Sequence, residues 1–234
     1  MRKRWWWLIA VATVAHAAAS TDVQPYSASY SVEWRGMGAG TSTVELAKLE
    51  DDRWTYTSRN LARGLFKLAL PNPITQSSVF RIRDGKVVPL TYRVDDGSKA
   101  TTRDISLDFN WQAGRVTGTA EDESVDVEVP AGAQDALTAQ IVLMRELLAG
   151  REPGTLRLID KDEVKVYDYV REGNERLKTP LGDMDTVIYR SARQGSNRVT
   201  RLWLAPSLGY VPVRAQQKRG ERTEFTMMVR TLKR

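Results

Sequence analysis

Apolar side chains recur at every second position through most of this chain, in runs of about six to ten residues that end in turn signals. Ile105, Leu107, Phe109 and Trp111 share one face while Ser106, Asp108 and Asn110 take the other. Val88, Leu90, Tyr92 and Val94 repeat the pattern, as do Val125, Val127 and Val129. Val164–Arg171, Met184–Arg190, Val199–Leu204 and Phe225–Leu232 continue it. Asp51-Asp52, Asp84-Gly85, Asp95-Asp96-Gly97, Ala113-Gly114, Gly173-Asn174, Gly195-Ser196-Asn197 and Arg219-Gly220 read as the turns between them. Strands joined so closely pair as hairpins, so the sheet is antiparallel. Roughly 12 to 14 strands are expected, too many for one flat sheet. The fold class is therefore mainly β, a single strongly curved antiparallel sheet or open β-barrel.

One stretch changes period. Between Gln134 and Ala149, Leu137, Ile141, Met144 and Leu148 fall at helical spacing, with Val142, Leu143 and Leu147 widening the apolar face. Gly150 sits where a glycine ends a helix. This predicts one amphipathic helix over about 134–149, and its broad apolar face belongs against the concave side of the sheet.

The N-terminus adds a compartment. Arg2, Lys3 and Arg4 precede an apolar run from Trp5 to Ala15, followed by small residues at Ala15/Ala17 and Ala17/Ala19. That is the pattern of a secretory signal peptide over residues 1–19, cut after Ala17 or Ala19. Residues 20–234 then form a single β domain, exported by the general secretion route and soluble in the periplasm. No later apolar run approaches the roughly 20 residues of a spanning helix. The leader holds three of the positive charges behind the formal net charge of +6, and also His16, the only histidine. What is left is only mildly basic, which argues against nucleic acid. Residues 171–234 carry 14 basic against 6 acidic residues; they suit solvated strand faces or an anionic surface.

With no mature histidine and no cysteine, nucleophile–histidine catalysis and the usual zinc sites are excluded. Carboxylates remain. Glu121-Asp122-Glu123 and Asp160-Lys161-Asp162-Glu163 are dense enough to pair as acid and base, but both fall at expected turns. Gly36-Met37-Gly38-Ala39-Gly40 lacks the ending of a phosphate loop and reads as a glycine-rich hairpin or bulge. No catalytic residue, metal ligand or cofactor is nominated. The segment Leu61–Ile74 stands apart, apolar without clean alternation and broken by Pro71 and Pro73. Leu65, Phe66, Leu68 and Leu70 are its candidate binding residues, a lip over an apolar cavity or a docking patch. The plainer alternative is a helical turn closing one end of the sheet.

Two hairpins echo each other: Phe80–Tyr92 and Leu202–Arg214 both run strand, glycine turn, then Val-Pro. The second, with Pro180–Val187, resembles the bacterial envelope family numbered 3108 among domains of unknown function. Tyr30–Gly40 and Ser78–Pro89 are similar to further parts of that family's pattern, so the resemblance covers nearly all of residues 20–234. It implies an exported β protein and transfers no catalytic residues. Trp203–Pro212 is more loosely similar to the periplasmic lipoprotein-carrier superfamily, half-barrels that hold acyl chains against internal helices. Together these readings lead to an exported, non-enzymatic binding or carrier protein whose partner is a lipid, a glycan or another envelope protein. The alternatives are a carboxylate enzyme on cell-wall glycan and an envelope assembly factor.

Overall fold

A computed structural model of the protein describes residues 22–98 and 102–234; the expected leader, residues 1–19, lies outside the described residues. Eight strands come first: β1 Tyr26–Trp34, β2 Met37–Lys48, β3 Arg53–Ala62, β4 Ile74–Arg83, β5 Lys86–Asp95, β6 Ile105–Asn110, β7 Arg115–Ala120 and β8 Glu123–Glu128. A one-turn helix, α1 Phe66–Ala69, lies between β3 and β4. After β8 comes the longer helix α2 Thr138–Leu148. Six strands follow: β9 Gly154–Asp160, β10 Glu163–Thr179, β11 Gly182–Arg193, β12 Arg198–Ala205, β13 Val211–Arg219 and β14 Arg222–Lys233.

All fourteen strands join one antiparallel sheet in the order β8-β7-β6-β5-β4-β3-β2-β1-β14-β13-β12-β11-β10-β9. Two meanders are thus zipped together where β1 meets β14, with Tyr30 opposite Val229 and Trp34 opposite Phe225. The sheet does not close into a barrel, because β8 and β9 both remain edges. The segment between them protects one edge. Gln134 donates its backbone N–H to the Arg157 carbonyl at 2.8 Å and accepts from Ile159 N–H at 2.8 Å. Its side-chain amide donates to the Val87 carbonyl on β5 at 3.0 Å. Covering unpaired edge groups in this way limits pairing with other chains.

Turn chemistry matches the hairpins. Arg35-Gly36, Asp84-Gly85 and Glu121-Asp122 have positive φ at both positions, the backbone twist that two-residue hairpins favour. The expected turn at Gly173-Asn174 is not one. β10 runs straight through it, and the turn falls at Pro180-Leu181. Gly173 instead takes a φ of 146° at an irregularity in the β10–β11 register, a conformation open to glycine. The hairpin beyond that bulge packs on the outer face of the sheet. Leu177 lies in the core cluster with Trp203, whose indole donates to Glu175 at 2.6 Å and lies under the Arg214 guanidinium.

The two echoing hairpins share a further device. Val-Pro reads as the opening of the second strand in each; Val211-Pro212 does open β13, whereas Val88-Pro89 falls at the third and fourth residues of β5. The register slips by one beside each, leaving Leu90 and Val213 as extra residues. A bulge removes the ladder bond that proline cannot make. Both proline carbonyls then accept from an aromatic side chain, Trp111 at 2.6 Å and Tyr30 at 2.9 Å.

α2 occupies the concave side at the end where β1 begins. Asp135 caps it: its carboxylate accepts the N–H groups of Leu137 at 2.8 Å and Thr138 at 2.9 Å, while Thr138 Oγ1 accepts the Asp135 N–H at 3.0 Å. This is a reciprocal capping box that starts the helix one turn later than the apolar spacing suggested. Ile141 and Met144 pack into the main core with Tyr26, Leu46 and Phe80. Leu143 and Leu147 pack on Tyr189 and Leu204 from the second meander. Each such fully buried side chain contributes about 1.5–3 kcal/mol. Arg145 pairs with Asp22 and reaches the Gly85 carbonyl, tying the helix to the entry of β1.

Candidate functional site

Alternation aims Tyr26, Ala28 and Tyr30 of β1 into the concavity, where they are buried. The same register carries Val32 and Trp34 to the opposite end of that concavity, away from α2. There the inward positions of five strands face open space: Val32 and Trp34, Gly40 and Ser42, Ser58 and Asn60, Ile74 and Gln76, Phe225 and Met227. Together with Ala62, Phe66 and Leu70 they line a groove of about 660 Å³, within the range of small-ligand sites. Its walls are mostly apolar, with the amides of Asn60 and Gln76, the hydroxyls of Ser42 and Ser58 and the Glu33 carboxylate as polar points.

Close approach shapes the groove wall. A side chain at Gly40 would overlap the Leu61 carbonyl, so the strands meet there only because residue 40 is a glycine. Ala39 is the extra residue of an adjacent bulge, where Val32 pairs with Gly40 and Glu33 with Gly38. The glycine-rich stretch is therefore a hairpin with a bulge, as its sequence suggested.

The four lip residues divide. α1 turns Phe66 and Leu70 into the groove. Leu65 and Leu68 point away from it and are each 84% exposed. The short helical turn expected for this segment is present, with none of its residues buried. The groove residues that the sequence did not nominate, Val32, Ile74, Phe225 and Met227, look like ordinary inward strand positions. Only the closing of β14 against β1 brings them to one place.

The acidic runs lie elsewhere. Glu121 and Lys161 join the β7–β8 and β9–β10 turns at 2.6 Å, and Lys165 holds Asp160 and Glu163 at 2.6 and 2.7 Å. Glu33 is the one carboxylate among the groove residues, whereas a glycan-cleaving pair needs two. Asp95, Asp96 and Asp104 come within 4.8 Å of one another. Asp95 and Asp96 accept the N–H groups of Gly97 and Ser98, and Asp104 accepts that of Asp96. Hydrogen bonds from Ser98 hold Asp96 below the usual carboxylate range.

One carboxyl is fully buried. Burial pushes Asp135 above its ordinary range, and hydrogen bonds from Thr138 and Leu137 oppose the shift. Ser78 acts in the same downward direction, although its Oγ and Asp135 Oδ2 form no hydrogen bond of good geometry and both lack partners.

No curated protein matches the sequence. A β-barrel-like protein of domain of unknown function DUF1849 from Brucella abortus is similar in fold, with a TM-score of 0.59 over 90% of this chain and 98% of that one at 14% identity. A protein of YmcC-like fold from Bacteroides fragilis aligns over 91% of this chain and 97% of that one, with a TM-score of 0.37 and 12% identity. The first likeness is to another curved, barrel-like sheet and concerns the fold alone. Among the described residues no helix is long and apolar enough to cross a membrane. Residues 29–228 match the family described as "Protein of unknown function (DUF3108)", a span that runs from β1 to β14 and takes in both Val-Pro hairpins. The chain belongs to the DUF3108 family.

Proposed function

We propose that residues 20–234 act as an exported, periplasmic, non-enzymatic binding protein that shelters the apolar part of an amphipathic envelope molecule. The observation that carries this reading is the groove of about 660 Å³ between the β1–β4 and β14 ends, mostly apolar along its walls and lipped by Phe66 and Leu70. A cavity of this size suits a single acyl chain or a ligand of similar bulk. Asn60 and Gln76 supply hydrogen bonds to orient a polar group. The signal-peptide pattern expected over residues 1–19 supports the compartment, and the looser likeness of Trp203–Pro212 to lipoprotein carriers supports the ligand class.

The test is fluorescence titration with a dansylated fatty acid, together with mass spectrometry of an organic extract of the purified protein. Saturable uptake, weakened at least tenfold by Ala62→Phe at unchanged thermal midpoint, is the expected result. Because a bulky residue on β3 can disturb folding, Phe66→Ser provides a second variant on the exposed lip. No uptake and no extractable ligand would overturn the reading.

A further inference from the structure

We infer that the outward face of the 61–70 segment docks on an anionic phospholipid bilayer. Leu65 and Leu68 lie three residues apart on one turn of chain, and both are 84% exposed. Neither touches the groove, so ligand binding in the groove does not account for them. Met37, 58% exposed and paired with Trp34 where β1 ends, adds a further apolar side chain at the same end of the sheet. Exposed apolar side chains grouped at one end of the sheet, rather than scattered singly, mark an interaction surface.

Charge names the occupant. From Arg53 to Arg83 the chain carries six cations and no carboxylate. Three of them, Arg59, Arg63 and Lys67, flank the exposed leucines, and none of the ion pairs or hydrogen bonds among the described residues uses their side chains. At the same end, Glu224 is held by Arg35 and Arg222. Asp95 and Asp96, beside Pro73, are taken up by their own turn and by Arg103. A protruding turn of two leucines is too small for a stable protein interface, which buries about 1,200 Å² or more. A bilayer asks for less: shallow insertion of a few apolar side chains, with cations at the level of anionic headgroups. Docked this way, the lip that carries Phe66 and Leu70 on its other side would face the headgroups.

Vesicle co-sedimentation of the purified protein tests this, using phosphatidylcholine vesicles with and without phosphatidylglycerol. Binding is expected only with phosphatidylglycerol and should fade as salt rises to about 0.5 M, where charges a few ångströms apart are already screened. Leu65→Asp/Leu68→Asp should lower partitioning by about tenfold or more, as should Arg63→Glu/Lys67→Glu. Both pairs are exposed, and a thermal midpoint equal to the parent's shows that they remain folded. Dansyl fatty-acid uptake by the same variants should match the parent, because none of the four residues lines the groove. Parent protein that ignores phosphatidylglycerol vesicles overturns the inference, as does binding that both double variants retain in full. Vesicle binding without fatty-acid uptake would instead overturn the groove reading and leave this one standing.

Discussion

The two ends of the concavity are built from the same strands by the same alternation, yet one is filled and the other is open. Where β1 begins, α2 inserts Ile141, Leu143, Met144 and Leu147, each 8% exposed or less. Where β1 ends, the covering element is the single turn α1, and none of its residues is buried. The strands thus make a trough whose contents depend on what the connections supply. An 11-residue helix with apolar residues on two sides fills it. A proline-bounded turn only edges it, leaving a groove behind and two leucines in front.

If that contrast is right, truncation should be felt very differently at the two ends. Leu143→Ala should cost about 2–5 kcal/mol in urea unfolding, since the side chain is fully enclosed between α2 and the second meander. Phe66→Ala should cost about 1 kcal/mol or less while weakening fatty-acid uptake. Equal losses would show that the groove end is as tightly packed as the helix end.

The capping box sharpens the comparison. Asp135→Ala removes the acceptor for two N–H groups at the start of α2 and should cost about 0.5–2 kcal/mol. Asp135→Asn keeps the acceptor and should remain close to the parent. The parent should also carry a pH signature. Its native carboxyl titrates above the unfolded one, so Asp135 favours the native state most at acidic pH, below the unfolded value of about 3.9. That contribution is lost as pH rises through the higher native value. Thermal melts at stepped pH should show the slope in the parent and a weaker one in Asp135→Asn. The smallest effect belongs to the lip: Leu65→Ser and Leu68→Ser should each stay within about 0.5 kcal/mol of the parent.

Much of the architecture was legible. Alternation and turn residues predicted the antiparallel sheet and its strand count, and helical spacing located α2. The misreadings have local causes. Gly173-Asn174 looks like a turn because glycine serves bulges as well as turns, and only the pairing of β10 with β11 separates the two. Val88-Pro89 looks like a strand start because a bulge that excuses an interior proline leaves no mark in the residues themselves. Asp135 went unnoticed as a cap because its reciprocal partner is Thr138, where glutamate or glutamine is the usual signal. The lip segment stands apart in the sequence because it lacks alternation and carries Pro71 and Pro73. That Phe66 and Leu70 would turn inward while Leu65 and Leu68 turn outward followed from one helical turn, which its prolines and missing alternation did not specify.

What the sequence determined by itself is local: which residues alternate, where the chain reverses, where the period switches to a helix, and that the chain has no cysteine and a single histidine, His16. Tertiary structure alone decided that β14 returns to pair with β1, that α2 fills one end of the trough, and that Val32, Ile74 and Phe225 share a groove at the other. The reason is physical. Periodicity records which face of a strand is buried. It does not record which distant strand, nearly the whole chain away, supplies the opposite wall.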